Sequence, residues 1–271
     1  MGASHPKLLT ACRGGRSEPL DVTQKEVYPF VYRLYDEINA TFPDDWIHIG
    51  GDEVYMDCWK ENQAIQDWKM LHNMTGDVEV LQYFESRLLT YMAKKIRKRP
   101  IAWQELFDSG LDIPKNVVVD VWKDWKDIRR NDTTYKTTAE GFTVIVSSCW
   151  YLDHLDEDIP QFYQCNPLEF NGTVTQKKLV VGGHASMWGE RADKTNFFPR
   201  VWPRTSAVAE KLWTGESAEA KATYFVRLDH FHCFMIEQGI PVSPLQPGSC
   251  FKSFEEGSRS TIIEQYGRSV R

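Results

Sequence analysis

An α/β fold built on a parallel sheet is predicted by three features of this 271-residue sequence. Short apolar, β-branched runs recur along the chain, amphipathic segments of helical period lie between them, and chemically reactive side chains gather just past the ends of the runs. Runs that are apolar throughout suit strands buried on both faces, as parallel strands are.

Taken in order, residues 24–40 carry apolar side chains at helical spacing and predict a helix, and residues 46–51 a buried strand. Residues 78–97 predict a second helix, whose basic end at 94–99 reads as a solvated terminus. Strands follow at 100–104 and 117–122, joined by a connection too short for a full helix. A helix at 126–140, a strand at 143–148 and a strand at 179–188 come next, with helices at 206–213 and 218–238 closing the pattern. The stretch 149–176, rich in Pro, Asp and aromatics, reads as a long functional loop rather than a helix. In a parallel α/β barrel the site is assembled where the strands end, and the reactive residues sit there: Asp52 and Glu53, Trp103 and Glu105, Trp122 and Asp124, Trp150, Tyr151 and Asp153, Trp188 and Glu190. Five strands cannot close such a barrel, so the expectation is a (β/α)8 TIM barrel with about its last five strands present in residues 1–257, then a polar tail at 258–271. An open sheet is the other arrangement.

Composition narrows the function. A net charge of -6 speaks against nucleic-acid binding, and no apolar stretch approaches the ~20 residues of a membrane span. The first residues hold Gly, Ser, His and Pro where a signal peptide would have its apolar core. Yet Asn-x-Thr sequons at Asn39, Asn73, Asn131 and Asn171, with six cysteines, point to an oxidising, glycosylating compartment.

The segment His48-Ile-Gly-Gly-Asp-Glu-Val54 places adjacent carboxylates at a buried strand end, where desolvation and a like-charged neighbour are expected to raise one pKa and separate an acid from a base. Glu53, protonated, would donate to a leaving oxygen while Asp52 stays ionised. The plainer alternative is a pair of acids capping the next helix. The chain also carries 10 tryptophans, and sugar rings stack on indoles. Trp103, Trp122 and Trp188 would wall a pyranose pocket, and Tyr151, Asp153 and Glu190 would meet its hydroxyls. Neither a cofactor nor a metal is expected, since the cysteines lack CxxC spacing and His48 lies within a strand.

Together with the His48 to Val54 segment, Trp103-Gln-Glu-Leu-Phe-Asp108, Trp150-Tyr-Leu-Asp153, Met187-Trp-Gly-Glu190 and Pro199-Arg-Val-Trp-Pro-Arg204 resemble the β-N-acetylhexosaminidases of glycoside hydrolase family 20, in order from about residue 8 to 254. The resemblance implies exo-hydrolysis of terminal β-linked N-acetylglucosamine or N-acetylgalactosamine, with retention and without an enzymic nucleophile. Glu53 would protonate the glycosidic oxygen and Asp52 orient the 2-acetamido group, whose oxygen attacks C1. Trp103, Trp122 and Trp188 would enclose the acetamido methyl and the ring, Tyr151 would bond the acetamido oxygen, and Asp153 and Glu190 would hold hydroxyls. Asp153, followed by a residue other than Arg, is similar to the subunit type acting on neutral substrates. The resemblance further implies disulfides Cys12–Cys58 and Cys233–Cys250, a homo- or heterodimer, and a lysosomal or secreted parent protein. Cys149 and Cys165 pair with each other or remain buried thiols. Two departures stand out: the family's first three strands and accessory domain have no counterpart, and His184 stands where an acid is expected. A catalytically inactive relative that binds glycans or a full-length subunit is the alternative reading.

Overall fold

The computed structural model describes residues 4–15, 17–125, 127–155, 158–215, 217–245 and 250; the tail expected at 258–271 lies outside them. In chain order the elements are β1 (Leu9–Ala11), β2 (Ser17–Leu20), α1 (Val27–Thr41), β3 (Trp46–His48), α2 (Asp57–Glu61), α3 (Gln63–Leu71), α4 (Asp77–Tyr91), β4 (Arg99–Trp103), α5 (Glu105–Asp108), β5 (Val118–Val121), α6 (Arg130–Ala139), β6 (Thr143–Val146), α7 (Ile159–Gln164), α8 (Val174–Lys177), β7 (Val180–Gly183), α9 (Phe197–Val201), α10 (Arg204–Thr214) and α11 (Ala218–Glu237). They divide into two compact units, residues 1–145 with 170–181, and residues 146–169 with 182–271.

The first unit carries most of a five-stranded sheet in the order β3-β4-β5-β6-β7, the sequential order of a repeated strand-helix chain. β3 and β4 pair in parallel with Ile47 opposite Pro100, and β4 and β5 with Ala102 opposite Val119. All four residues of β5 are buried, as expected of a strand covered on both faces. α1 turns Val27, Tyr28, Val31 and Tyr35 inward at helical spacing, and α4 does the same with Val80, Leu81, Leu88 and Leu89. The helix expected through residue 97 changes character at its end: a single π-helical turn, Met92–Ile96, leads to Arg97 at φ 60°, whose N–H donates to the Met92 carbonyl at 2.7 Å, and the chain reverses into β4.

Two features went unread in the sequence. An antiparallel β1–β2 hairpin precedes α1, tied to α2 by the Cys12–Cys58 disulfide. Residues 57–71 form two helices, separated where Asn62 takes an extended conformation and its side chain accepts from the Ile65 N–H at 3.2 Å, capping α3. α6 is helical with four buried threonines, of which Thr137 and Thr138 satisfy their hydroxyls on the carbonyls of Thr133 and Thr134 at 2.8 and 2.7 Å.

The second unit has its own core, with Trp150, Leu152, Phe162, Val201 and Val208 in one cluster and Ile159, Tyr163, Ala207 and Leu228 in another. The stretch 149–176 is not wholly loop, a correction to the sequence reading: it contains α7 here and α8 in the first unit. Both helices are set by capping boxes, Asp158 with Gln161 and Thr173 with Gln176, which offset their brevity. Cys149 and Cys165 are bonded across the first half of this stretch, and Cys233 is bonded to Cys250. No helix among the described residues is long and apolar enough to cross a membrane.

Candidate active site

In the first unit the chain leaves β3 through a turn that glycine alone fits. Gly50 and Gly51 have φ 78° and 100°, and a Cβ on Gly51 would sit 2.2 Å from Leu106 Cδ1. The turn is pinned on both sides: the Tyr35 hydroxyl donates to the Ile49 carbonyl at 2.9 Å, the Ile49 N–H to Ile101 O at 2.8 Å, and the Trp103 N–H to Gly50 O at 3.0 Å. Asp52 and Glu53 follow directly. Both are exposed, so the burial expected to separate them is absent; Glu53 instead holds a strained φ of 45°. A left-handed, non-glycine residue of this kind costs roughly 1–3 kcal/mol and is tolerated mostly at functional sites.

His48 lies half-buried behind the turn. Its Nδ1 accepts from the Gly50 N–H at 3.1 Å, its Nε2 approaches Asp120 Oδ2 at 3.4 Å, and its ring packs 4.6 Å from that of Trp103. His48 therefore fixes the turn, in keeping with the supporting role read from its place in a strand.

β4 and β5 bring two of the tryptophans together. Trp103 is buried and meets half-buried Trp122 edge-on at 6.1 Å, and Trp122 meets exposed Trp125 at 5.4 Å. The Trp122 indole N–H donates to Glu105 Oε2 at 2.9 Å, and Glu105 is held in turn by Lys123 at 3.0 Å. Gln104, fully buried, completes this arrangement: its Oε1 accepts from the Trp122 and Lys123 N–H groups at 3.0 and 2.9 Å while its Nε2 donates to Asp108 at 2.8 Å. Gln104 was missed in the sequence because one polar residue inside a motif of acids and tryptophans carries no signal of its own.

The second unit brings Tyr151 and Trp188 together. Tyr151 pairs with Ser186 in a parallel bridge, the Leu152 N–H donates to Ser186 O at 2.7 Å, and the rings of Tyr151 and Trp188 lie 6.2 Å apart. One oxygen of Asp153, Oδ1, is buried without a hydrogen-bond donor among the described residues. Glu190 is exposed beyond Trp188. Arg204, also unread in the sequence as a support, grips this segment by donating to the carbonyls of Leu152 and, at 3.1 Å, His154. Arg200 and Asn196 likewise donate to the Arg191 carbonyl and hold the chain after Glu190. His184, which stands where an acid was expected, has its Nδ1 3.5 Å from the Ser186 hydroxyl. Close packing again demands glycine at Gly183, where a Cβ would fall 2.1 Å from Val146 O.

Residues 4–216 match the description of glycosyl hydrolase family 20, catalytic domain. The chain is 37% identical to human β-hexosaminidase subunit β over 256 residues, 92% of this chain and 46% of that one, and 35% identical to the rat α subunit over 261 residues, 94% and 49% respectively. Among solved structures it is similar to a chitobiase of Flavobacterium johnsoniae, with a TM-score of 0.77 and 28% identity over 88% of this chain and 37% of that one. The chain thus spans about half the length of the curated relatives it matches.

Proposed function

The chain belongs to glycosyl hydrolase family 20, and from that membership we propose that it carries the acid and acetamido-orienting groups of an exo-acting β-N-acetylhexosaminidase. The substrates are glycoconjugates or chitooligosaccharides ending in β-linked N-acetylglucosamine or N-acetylgalactosamine. The observation that carries this reading is the Gly-Gly turn at the end of β3, which presents Asp52 and a strained Glu53 to solvent beside the Trp103–Trp122 pair.

Glu53 donates its proton to the glycosidic oxygen as the C1–O bond breaks, a contribution of about 10²–10⁴ in rate for a positioned general acid. The 2-acetamido oxygen attacks C1 from the opposite face and gives an oxazolinium ion. Asp52 accepts the acetamido N–H, orienting that oxygen and offsetting the positive charge that develops on the ring. Water then opens the oxazolinium at C1, giving its proton to Glu53 and restoring both carboxyl groups, with net retention. Two neighbouring carboxylates suffice because the substrate supplies its own nucleophile. In the first unit Trp103 and Trp122 are assigned contact with the sugar and its acetamido methyl; in the second, Trp188 is assigned the same kind of contact, Tyr151 donates to the acetamido oxygen, and Asp153 and Glu190 accept from ring hydroxyls, a part that the unpartnered Oδ1 of Asp153 supports.

The five parallel strands are read as strands 4–8 of a (β/α)8 barrel occupying residues 1–257. The relatives bear the names of subunits, which supports a homo- or heterodimer. Three disulfides and exposed sequon asparagines at 73, 131 and 171 support a lysosomal or secreted glycoprotein.

A pair of substrates sharing one leaving group, with either a 2-acetamido or a 2-hydroxyl substituent, tests the mechanism. Only the acetamido sugar should be cleaved, and Asp52→Asn should lower kcat at least tenfold with little change in KM. Comparable cleavage of the 2-hydroxyl sugar would overturn it.

A further inference from the structure

Behind the Gly50–Gly51 turn the first unit holds a partly open pocket of about 230 Å³ whose walls include Tyr35 from α1, Trp59 from α2, and Leu81 and Leu88 from α4. Two acids also line it, Asp52 from the turn and Glu85 from α4. Glu85 is only 3% exposed, and its Oε2 has no hydrogen-bond partner among the described residues. Its other oxygen lies 3.9 Å from where a Cβ on Gly51 would stand, so the carboxyl packs directly under the turn that presents Asp52 and Glu53.

Among the described residues, nothing facing Glu85 is suited to a negative charge. No Lys, Arg or His is among the residues lining the pocket. From α1, Tyr35 commits its hydroxyl proton to Ile49 O; from α2, Trp59 commits its indole N–H to Leu20 O at 3.2 Å; from the turn, Asp52 adds a second acid. The β1–β2 hairpin contributes Pro19 and Leu20, both apolar. A carboxylate here would be buried without compensation, whereas a carboxylic acid is far less costly.

We propose that Glu85 is a proton-dependent positioning residue: as a neutral acid it packs under Gly51 and holds the Asp52–Glu53 turn, and on losing its proton it loosens that turn, so that the site is assembled for acidic conditions. The kinetic consequence rests on the hydrolase reading above; the stability consequence does not.

Burial pushes the Glu85 carboxyl up from its ordinary 4.5 to about 7. Between those two values the folded chain keeps a proton that the unfolded chain releases, so the Glu85 contribution to stability falls as pH rises from about 4.5 to about 7 and is level outside that window. A difference of that size corresponds to an unfolding constant on the order of 100-fold larger at neutral than at acidic pH.

The test is urea unfolding of the full chain from pH 4 to pH 8, for the wild type, Glu85→Gln and Glu85→Met, with amide exchange at Gly50, Gly51 and Asp52. The wild type should lose stability on the order of 100-fold across the window and exchange faster in the turn, after correction for intrinsic rates, while both variants lose that added slope. Coincident pH profiles of wild type and variants would overturn the proposal. If neither variant folds, infrared titration of wild-type carboxyl groups decides: a buried acid with a midpoint between about 6 and 8 supports the assignment, and none in that range refutes it. Failure of the hydrolase reading would show separately, as absence of turnover at every pH with the stability difference intact.

Discussion

Gly51 shows how closely a single residue is constrained around the acid pair. Its φ of 100° excludes side chains, and its Cβ position is already filled by Leu106. Gly51→Ala should therefore destabilise the chain by about 1–3 kcal/mol through strain and overpacking together. Urea unfolding at constant slope measures this, and a loss below about 0.5 kcal/mol would contradict the geometry. The two glycines and two acids were legible in the sequence because few local structures need them side by side. The environment of the acids was not: a run ending in Gly-Gly suggested burial, whereas the turn lifts Asp52 and Glu53 into solvent. Glu85 was equally hidden, since a glutamate within an amphipathic helix reads by default as part of its solvated face.

Among the elements, those with a continuous apolar stripe were read well. α1 and α4 announced themselves through buried positions three and four apart, and β5 through a valine-rich run interrupted only by Asp120. Short helices were lost because so few residues carry little periodicity; α7 is only 6 residues long and is fixed by Asp158 and Gln161. The chain leaving β5 depends in the same way on one side chain, Gln104 just past the end of β4. Replacing Gln104 with Leu would leave the Trp122 and Lys123 N–H groups without their acceptor, at a cost of roughly 2–4 kcal/mol. The expected result is a lower urea midpoint with a changed near-ultraviolet circular dichroism signal from the Trp103–Trp122 pair. An unchanged spectrum and midpoint would show that Gln104 does not hold Trp122 in place.

At the scale of the molecule, each unit has a core of its own and each disulfide closes within one unit. The parallel order of the sheet was legible because apolar strand-like runs alternate with helical segments; the division into two units was not, because no linker composition marks it. The family match covers residues 4–216, through both units and over the motifs from the acid pair after β3 to Met187-Trp-Gly-Glu190 after β7. The function proposed for them turns on a single proton donor. The most direct measurement is release of a fluorogenic leaving group from a β-N-acetylglucosaminide by the purified, folded chain and by Glu53→Gln at pH 5. The predicted result is turnover by the wild type that falls about 10²–10⁴-fold in the variant with its unfolding curve unchanged. Equal turnover by the two proteins, or none from a folded wild-type chain, would contradict the account.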